Sequence, residues 1–414
     1  MQHVRRNAPC PTSKPSEPRS RTILIAGAGI GGMTAALALA REGFDVSLFD
    51  RTERLEEAGA GIQLSPNATR LLIGLGLAPQ LKAGVVEPAA IRLRSGPAGR
   101  ELAVMPVDAG TPDGRYGSPY WVIHRSDLHR ALAEAVAQAP NITLALGAAL
   151  KDFSIDDTGV RATVCHRRAD ENAHHGALLV GADGLWSRLR TLLTCGTAPR
   201  FAGRGAFRAV VPAAQVLPRH REPIIDVWLG PGGHVVHYPI RAGAAVNIVA
   251  VCSDRWQSAA WTTFAEREAV LARFPAAKWA PMLRDLLAVP ERWHKWALYD
   301  RPPLASWGRG PVTLLGDAAH PMLPFLAQGA AMAIEDAAVL VGELVRSPQD
   351  RLAALRAYEA VRRPRTARVQ AAARRNDFHY HLRGPAALAR DAALRTLGGR
   401  RLFARYDWIY RWQP

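Results

Sequence analysis

Paired or clustered cysteines are missing from this 414-residue chain. Its four cysteines stand far apart, at Cys10, Cys165, Cys195 and Cys252, and none forms a Cys-x-x-Cys pair. Cysteine and histidine are nowhere grouped with the spacing of a zinc site, so the sequence predicts no metal centre. Widely spaced thiols without a disulfide framework favour a reducing compartment.

Long apolar runs and acidic residues are also scarce. No stretch approaches the ~18 uninterrupted apolar residues of a spanning helix, so we expect no stable membrane insertion. Lysine and arginine number 53 against 36 acidic residues, which gives a net charge of +17. The arginines are scattered, with some clustering between 362 and 375, so we predict no nucleic-acid partner. The charge fits either a solvated helix face or attraction of anionic substrates and cofactors.

The first 20 residues lack the apolar centre of a secretory signal and are instead polar, basic and rich in proline. We interpret residues 1–20 as a disordered basic tail and expect a cytoplasmic protein. A chain of this length fits two domains, or one large domain with insertions.

The stretch from 22 to 50, TILIAGAGIGGMTAALALAREGFDVSLFD, predicts a strand, a helix and a second strand. Gly27, Gly29 and Gly32 stand in the GxGxxG register, which allows a sharp turn, close approach of a pyrophosphate and tight helix–strand packing. Asp50 ends the second strand, 18 residues after Gly32. An acid at this place binds the hydroxyl groups of an adenosine ribose. We assign Asp50 and the adjacent Arg51 to a dinucleotide site; the alternative is a glycine-rich turn without a ligand.

The rest of the chain predicts four further regions. Short alternating runs from 201 to 251 indicate antiparallel sheet, and 261–292 has a helical pattern. A buried strand returns at 312–315, and 331–398 is predicted helical, with breaks at 347–348 and 384–385. The fold class is therefore α/β: a Rossmann-like domain interrupted by a mostly antiparallel β domain and followed by C-terminal helices.

Two more strands are predicted to end in a small residue and an acid. LLVGADGLWSRLR contains Asp183, and VTLLGDAAHPMLPFLAQGAAM contains Asp317. Each acid alone is also compatible with a simple turn residue. Together with the glycine-rich turn they predict one crevice at the carboxyl ends of the strands. Arg125 in HRSDL opens a helix that Ser126 or Asp127 can cap, and it can reach a phosphate.

These three motifs, in this order, resemble the single-component FAD-dependent aromatic hydroxylases over about residues 22–375. GAGIQLSPNA, GDAAHPMLPFLAQGA and ARYDWIYRW resemble the salicylate hydroxylase branch, which includes 3-hydroxybenzoate 6-hydroxylase and 6-hydroxynicotinate 3-monooxygenase. The resemblance implies that Asp317 binds the middle of FAD and that Arg125 contacts FAD. It implies that Asp183 helps to hold FAD and shapes the path of the pyridine nucleotide. Gln63 is expected near the flavin edge.

The loop after Asp317 is expected beside the flavin ring. Pro324 and Phe325 would form a dry wall around the reactive oxygen species. Gln328, Gly329 and Ala330 open a helix whose N–H groups would face the anionic reduced flavin. We place Pro324 and Gln328 among the catalytic residues and Gly329 and Ala330 among those that bind the cofactor.

The substrate side is predicted from GGHVVHYPI, in which period two puts His234 and Tyr238 on one face and His237 on the other. The resemblance implies that His234 and Tyr238 orient and deprotonate a substrate phenol; the alternative is two ordinary sheet residues. Arg208 is a candidate for anchoring a carboxylate, or a surface arginine. Phe325, also placed at the substrate, stands where some relatives carry a polar aromatic residue or histidine. Asp50 stands where the family often has glutamate.

The implied activity is that of a monooxygenase. FAD reduced by NADH or NADPH would react with O2 to a C4a-hydroperoxide and hydroxylate a phenolic aromatic acid or a hydroxy-N-heteroarene. The alternatives are an FAD oxygenase of a larger lipid-like or polyketide substrate, and a non-catalytic FAD-binding sensor. We predict a monomer or homodimer. We assign 21–80, 115–190 and 300–345 to an FAD-binding domain, 81–114 and 191–299 to a substrate domain, and 346–414 to C-terminal helices.

Overall fold

The structure is a computed structural model that describes residues 21–55, 60–107, 115–166, 170–194, 198–256 and 262–414. The predicted N-terminal tail, residues 1–20, lies outside the described residues. None of the helices in these ranges combines the length and the apolar composition needed to cross a membrane.

Eighteen strands are formed, and in chain order they are β1 (Thr22–Ala26), β2 (Asp45–Asp50), β3 (Gly61–Leu64), β4 (Ala90–Ser95), β5 (Glu101–Pro106), β6 (Trp121–His124), β7 (Ile142–Leu146), β8 (Ala148–Asp156), β9 (Gly159–His166), β10 (Glu171–Gly176), β11 (Leu178–Gly181), β12 (Arg200–Pro212), β13 (Ile224–Gly230), β14 (Gly233–Ile240), β15 (Ala245–Ser253), β16 (Thr262–Glu266), β17 (Arg292–Asp300) and β18 (Val312–Leu314) in the described ranges.

The α-helices of the same ranges are α1 (Ile30–Arg41), α2 (Pro66–Gly74), α3 (Ala78–Lys82), α4 (Arg125–Gln138), α5 (Arg188–Thr194), α6 (Arg267–Arg273), α7 (Pro281–Leu287), α8 (Gly329–Arg346), α9 (Arg351–Tyr380), α10 (Gly384–Leu397), α11 (Gly399–Ala404) and α12 (Asp407–Tyr410).

A five-stranded parallel sheet forms the first layer, in the order β18-β11-β1-β2-β7. Its apolar strands are buried on both faces, as a parallel sheet requires, with α1 and α8 packed against each other beside it. The predicted Rossmann-like α/β domain is confirmed. Because the strand order reverses between β1 and β11, their carboxyl ends leave a crevice at that point.

An eight-stranded sheet forms the second layer, in the order β16-β17-β12-β15-β14-β13-β4-β5. Its pairs are antiparallel except for β13 with β4, which confirms the antiparallel character predicted for 201–251. One face packs on α6 and α7 through an apolar cluster that includes Phe274 and Trp279. The other face of β14 and β15 turns toward the crevice.

The helical prediction for 261–292 is wrong at its start. Thr262–Glu266 is strand β16, paired antiparallel with β17, and helices follow only at Arg267–Arg273 and Pro281–Leu287. Residue 261 lies outside the described ranges. This short segment lies at the edge of the sheet, where pairing with β17 satisfies its backbone groups. That pairing overrides the helical pattern of the sequence.

Helices form in the last part of the chain as predicted, but one break is displaced. Helix α8 ends at Arg346, just before the predicted break at 347–348, whereas the break predicted at 384–385 lies at 381–383 and α10 begins at Gly384. The 30-residue α9 runs between them and carries Pro364 in its interior. The terminal segment turns back, so that Arg70 Nη1 donates to the Trp412 carbonyl at 2.7 Å.

Candidate active site

The carboxyl ends of the parallel strands open onto a crevice with two adjoining parts, of about 340 Å³ and 310 Å³. The larger part lies between the parallel sheet and the β14–β15 face. The smaller part extends toward β17 and the turn after β11. Arg125, Arg208, Asp317 and Pro324 border both parts. The crevice therefore brings together residues from all three predicted motifs.

The glycine-rich turn after β1 leaves open backbone at one end of the crevice. A Cβ atom on Gly27 would lie 2.3 Å from the Ala182 carbonyl oxygen, and one on Gly32 would lie 1.8 Å from the Gly27 carbonyl oxygen. Packing alone therefore requires glycine at both positions. A Cβ atom on Gly29 would meet nothing within 4 Å, and Gly29 borders the crevice at the start of α1. Open space beside a helix N-terminus fits a pyrophosphate.

Replacing Gly29 by alanine tests this assignment. Gly29 has φ −74° and ψ −177°, which alanine adopts freely, so we expect the apoprotein to keep its thermal stability. The added methyl group would occupy the pyrophosphate space, and we expect at least a tenfold loss of FAD affinity, measured by titrating apoprotein and following flavin fluorescence. Gly32→Ala is the contrasting control, because it should fail to fold. Unchanged FAD affinity in Gly29→Ala would contradict the assignment.

Asp50 ends β2 and turns its carboxylate back to the glycine-rich turn. Oδ2 accepts from the Ala28 N–H at 2.7 Å, and Oδ1 accepts from the N–H and hydroxyl of Thr52 at 2.8 and 2.7 Å. The carboxylate thus braces the turn and keeps lone pairs for a ribose hydroxyl. Arg51 borders the smaller part of the crevice.

Asp317 lies in a short 3₁₀ turn, Gly316–Ala318, directly after β18. Its side chain is reached by solvent through the crevice, and within the described residues no group hydrogen-bonds to its carboxylate. Burial by the surrounding protein raises the pKa of Asp317, against the opposing effects of His320 and Arg125. A carboxylate without protein donors at this place fits the hydroxyl groups of a ribityl chain.

The Asp183 carboxylate makes most of its hydrogen bonds within its own turn. Its carboxylate accepts from the Ser187 hydroxyl and from the Leu189 N–H, the latter at 3.0 Å, and burial raises its pKa. It therefore caps the start of α5 while bordering the smaller part of the crevice. Arg125 is the first residue of α4 and extends its side chain between the two parts.

The loop after Asp317 forms one wall of the larger part. Pro324, Ala327, Gly329 and Ala330 border it. Ala327 has left-handed backbone angles, φ 52° and ψ 34°, which are uncommon for a residue with a side chain and occur preferentially at functional sites. The turn aims the start of the 18-residue helix α8 at the crevice. Its free N–H groups fit the negative charge of a reduced flavin ring.

Gln328 is not brought into the crevice. Its side chain is 1% exposed; Nε2 donates to Ser65 Oγ at 2.9 Å, and Oε1 accepts from Asn67 Nδ2 at 3.2 Å. Asn67 also donates to Glu335 at 2.6 Å. The Gln328 side chain therefore anchors the loop, and no observation supports a catalytic role for it. The sequence signal for its partners was the polar SPN run directly after GIQL.

A buried ion cluster underlies the start of α8, and the sequence reasoning missed it. Arg362 of α9 donates to Glu335 at 2.6 Å and to Asp336 at 2.7 Å, and all three side chains are fully buried. Nε2 of His320 lies 2.5 Å from Oδ2 of Asp336. The sequence did contain a signal, because Glu335 and Asp336 stand together inside an otherwise apolar helix. Buried charges require partners of opposite charge, so two acids at buried positions indicate a cation elsewhere in the chain.

The face of β14 toward the crevice carries His234, Val236 and Tyr238, while His237 points to the other side, where it contacts His220. The predicted alternation is confirmed. Burial raises the pKa of Tyr238, only partly countered by Arg208 and a hydrogen bond with Gln63. Tyr238 is therefore neutral near pH 7.

Gln63 borders the crevice from β3, and its Oε1 accepts from the buried Tyr120 hydroxyl at 2.8 Å. Phe325 is 4% exposed and lies behind His234, with the ring centroids 5.4 Å apart and edge-on. It thus packs against the imidazole that faces the crevice.

Arg208, on β12, faces the crevice without an acidic partner among the described residues. Its Nε atom is buried without a hydrogen bond, and its guanidinium lies 5.2 Å from the Trp296 ring centroid. Burial and the neighbouring Arg125 lower the pKa of Arg208 to about 10, so it stays positively charged near pH 7. A partly buried cation without an acidic partner stabilises a bound anion.

Comparisons with known proteins agree with this architecture. A family model described as an FAD binding domain matches residues 20–373. The 3-hydroxybenzoate 6-hydroxylase 1 of Aquipseudomonas alcaligenes is 38% identical over 389 residues, which cover 94% of this chain and 97% of that protein. A 3-amino-4-hydroxybenzoate 2-monooxygenase of Streptomyces platensis is 38% identical over 390 residues, covering 94% and 95%. A salicylate hydroxylase substrate complex superposes with a TM-score of 0.80 at 25% identity, covering 95% and 96%.

The fold and the matched family model define an FAD-binding protein. The chain belongs to the family of FAD-dependent aromatic hydroxylases, which are monooxygenases. The residues present fit the cofactor: open backbone at Gly29 for the pyrophosphate, the carboxylate of Asp317 for the middle of FAD, and the start of α8 for the ring.

Proposed function

We propose that this enzyme hydroxylates a phenolic aromatic acid, or a hydroxy-N-heteroarene that carries a carboxylate, with NADH or NADPH as electron donor and O2 as co-substrate. The observation that carries the proposal is Arg208, a guanidinium without an acidic partner in the described ranges, which borders the crevice together with His234 and Tyr238. The names of the relatives support the same class, because they act on hydroxybenzoates.

The charge of Arg208 selects the acid group of the substrate. A guanidinium binds a carboxylate through two parallel hydrogen bonds, and a desolvated cation gains most from such a partner. Arg125, which also borders the crevice, adds positive charge near the same place. A neutral or cationic ring would leave the charge of Arg208 uncompensated, so the crevice favours an anionic substrate.

His234 and Tyr238 act on the phenol. Burial holds the pKa of His234 well below its usual value, with His381 and Arg204 adding to the effect, so the imidazole is neutral and available as a base. Tyr238, whose pKa is raised, keeps its proton and donates a hydrogen bond to the phenolate oxygen. Ionising the phenol raises the electron density of the ring and prepares it for an electrophilic oxygen.

FAD, when bound, takes two electrons from the nicotinamide and activates O2 for transfer of one oxygen atom to the ring. The protein's part is to position the two reactants and to exclude water. Pro324 and Ala327 close the wall between the helix start and the substrate face. We propose that the segments 21–80, 115–190 and 300–345 hold FAD, that 81–114 and 191–299 hold the substrate, and that 346–414 supports both.

The decisive experiment incubates the purified FAD-loaded enzyme with NADH or NADPH and a panel of acids: 3-hydroxybenzoate, 3-amino-4-hydroxybenzoate, salicylate and 6-hydroxynicotinate. We expect at least one acid to stimulate NAD(P)H oxidation and to yield a product heavier by one oxygen atom. Stimulated oxidation without that mass gain for any acid would contradict the proposal. A yellow enzyme that ignores the whole panel would point instead to a larger substrate.

Arg208→Gln should separate carboxylate binding from chemistry. Losing a charge-assisted hydrogen bond of ~1.5–3 kcal/mol should raise KM for the acid roughly 10- to 100-fold. The matching primary amide should lose little, because it never made the ion pair. Arg200→Gln, an exposed arginine on the same strand, is the matched control and should behave like the wild type. An equal loss for acid and amide would show that Arg208 does not read the carboxylate.

A further inference from the structure

His234 has a partner on the C-terminal helix that no sequence motif indicated. Its Nδ1 atom lies 2.8 Å from Nε2 of His381, the residue that follows the last turn of α9. The two residues are 147 positions apart in the chain, and both imidazoles are buried, 3% and 7% exposed. The contact joins the substrate face of β14 to a helix outside the crevice.

His381 in turn contacts an acid. Nδ1 of His381 lies 2.8 Å from Oδ1 of Asp377, one helical turn earlier in α9, and Arg204 Nε donates to the same oxygen at 2.9 Å. The contact between His381 and Asp377 has the distance of an ion pair but not the direction of a hydrogen bond. The Asp377 side chain is 22% exposed, so the row of groups begins at the crevice and ends at solvent. We name His234, His381 and Asp377 the His–His–Asp chain.

The order of groups in this chain fixes the proton positions. Two lone pairs 2.8 Å apart would repel each other, so beside the ionised Asp377 the Nδ1 atom of His381 carries a proton. The Nε2 atom of a neutral His381 is then an acceptor, which requires the proton of neutral His234 to sit on Nδ1. The remaining nitrogen, Nε2 of His234, has no hydrogen-bond partner among the described residues and keeps a free lone pair.

We propose that His381 and Asp377 are positioning residues that hold His234 in the Nδ1–H tautomer, with Nε2 unprotonated toward the crevice, and that they conduct the substrate proton to solvent. The inference rests on the proposed function, in which His234 removes the phenol proton. The logic is that of a catalytic triad, where an acid selects the tautomer of a histidine base.

The proton transfer balances along the chain. The phenol O–H bond breaks and an Nε2–H bond forms on His234, while the Nδ1 proton of His234 passes to Nε2 of His381. The Nδ1 proton of His381 passes to Asp377 and leaves to water. Each imidazole is neutral before and after, so no buried cation remains at the end of the transfer.

The surroundings favour neutral imidazoles. Burial lowers the pKa of His381, although Asp377 acts in the opposite direction. Partial burial acts to raise the pKa of Asp377, but His381 and Arg204 outweigh it and lower that pKa, so the acid is ionised near pH 7. Arg204, on β12, disfavours protonation of both imidazoles.

The remaining ring neighbours keep water out. The rings of Phe325 and Tyr380 lie edge-on against His234, at centroid distances of 5.4 and 5.2 Å, and Phe325 also contacts His381 at 5.7 Å. Phe325 offers no hydrogen bond. The hydrogen-bond partner of His234 Nδ1 is therefore His381, directly after α9, and not a residue of the loop that precedes α8.

The direct test is ¹⁵N NMR of the holoenzyme labelled at histidine, without substrate. Spectra distinguish a protonated from an unprotonated ring nitrogen, and His234→Gln and His381→Gln variants assign the two residues among the 13 histidines. We expect protonated Nδ1 and unprotonated Nε2 in both residues near pH 7. In Asp377→Asn, whose amide can donate to His381, we expect the pattern of His234 to change. The opposite tautomer in the wild type, or an unchanged pattern in Asp377→Asn, would overturn the proposal.

Kinetics give the second readout, with the acids of the panel. We expect Asp377→Asn and His381→Gln to lower kcat about 10- to 100-fold, below the full 10²–10⁴ of acid–base catalysis, with little change in KM. A ring-fluorinated phenol of lower pKa should recover much of the loss, because it ionises without help. His379→Gln, an exposed histidine on the same helix, is the control and should match the wild type.

The two readouts separate the inference from the proposed function. If the wild type hydroxylates no acid of the panel while the predicted tautomers are present, the proposed function fails and the positioning stands. If the wild type hydroxylates an acid while Asp377→Asn and His381→Gln keep wild-type kcat, the inference fails and the function stands. An equal loss with the fluorinated substrate would indicate a structural defect and would count against the proposal.

Discussion

Replacing Asp317 by alanine is expected to yield a folded protein that no longer retains FAD. The carboxylate faces the crevice, and within the described residues no donor hydrogen-bonds to it, so its removal costs the apoprotein little. Two hydroxyl donors of the cofactor would lose hydrogen bonds to a charged acceptor, worth ~1.5–3 kcal/mol each. We expect FAD affinity to fall roughly 100-fold or more. Flavin titration of the apoprotein and the yellow colour after purification measure the effect.

Two further variants sharpen this test. Asp317→Asn keeps the shape and one acceptor oxygen, so we expect an intermediate loss. Asp285→Ala removes an exposed acid from α7 and should leave FAD binding unchanged. Wild-type FAD affinity in Asp317→Ala would refute the assignment of this residue to the cofactor, whatever its effect on turnover.

Arg362→Met is expected to lower the free energy of unfolding strongly while the protein still folds. The substitution roughly keeps side-chain volume but leaves Glu335 and Asp336 buried without their shared cation, at 0% exposure. Breaking a buried ion pair from one side costs about 3–5 kcal/mol. Equilibrium urea unfolding followed by tryptophan fluorescence measures the free energy of unfolding.

The same change should also weaken FAD binding. Glu335 holds Asn67, and Asn67 holds Gln328 at the start of α8, so loss of the cation loosens the helix start that faces the crevice. Arg375→Met, an exposed arginine on the same helix, is the control and should cost little. A loss below about 1 kcal/mol for Arg362→Met would mean that Arg365, which also contacts Glu335, suffices to neutralise the cluster.

The features that sequence reasoning captured are those written in local patterns. The glycine register of Gly27, Gly29 and Gly32 requires a strand–turn–helix unit, and period two along β14 decides that His234 faces the crevice and His237 does not. Parallel strands then bring their carboxyl ends together without further information. The same rule predicts that acids in the turns after these strands, such as Asp317, lie at the crevice.

The features that escaped prediction depend on contacts between segments far apart in the chain. The His381 imidazole meets His234 only because α9 packs beside the β14 face, and Arg362 meets Glu335 only because α9 crosses α8. Neither pair has a spacing that a periodic pattern records. The direction of the Gln328 side chain was likewise not predictable, because the position of a residue along the chain does not show which way its side chain turns.

The way the chain closes on itself has a consequence for its synthesis on the ribosome. The parallel sheet begins with β1 near the first described residue, yet its edge strand β18 emerges only late, and β11 has no neighbour on that side until then. Asp317, which borders the crevice, follows β18 directly. A nascent chain therefore displays an unpaired apolar edge on β11 while the residues between Gly181 and Val312 are synthesised, and the crevice is complete only after β18 has emerged.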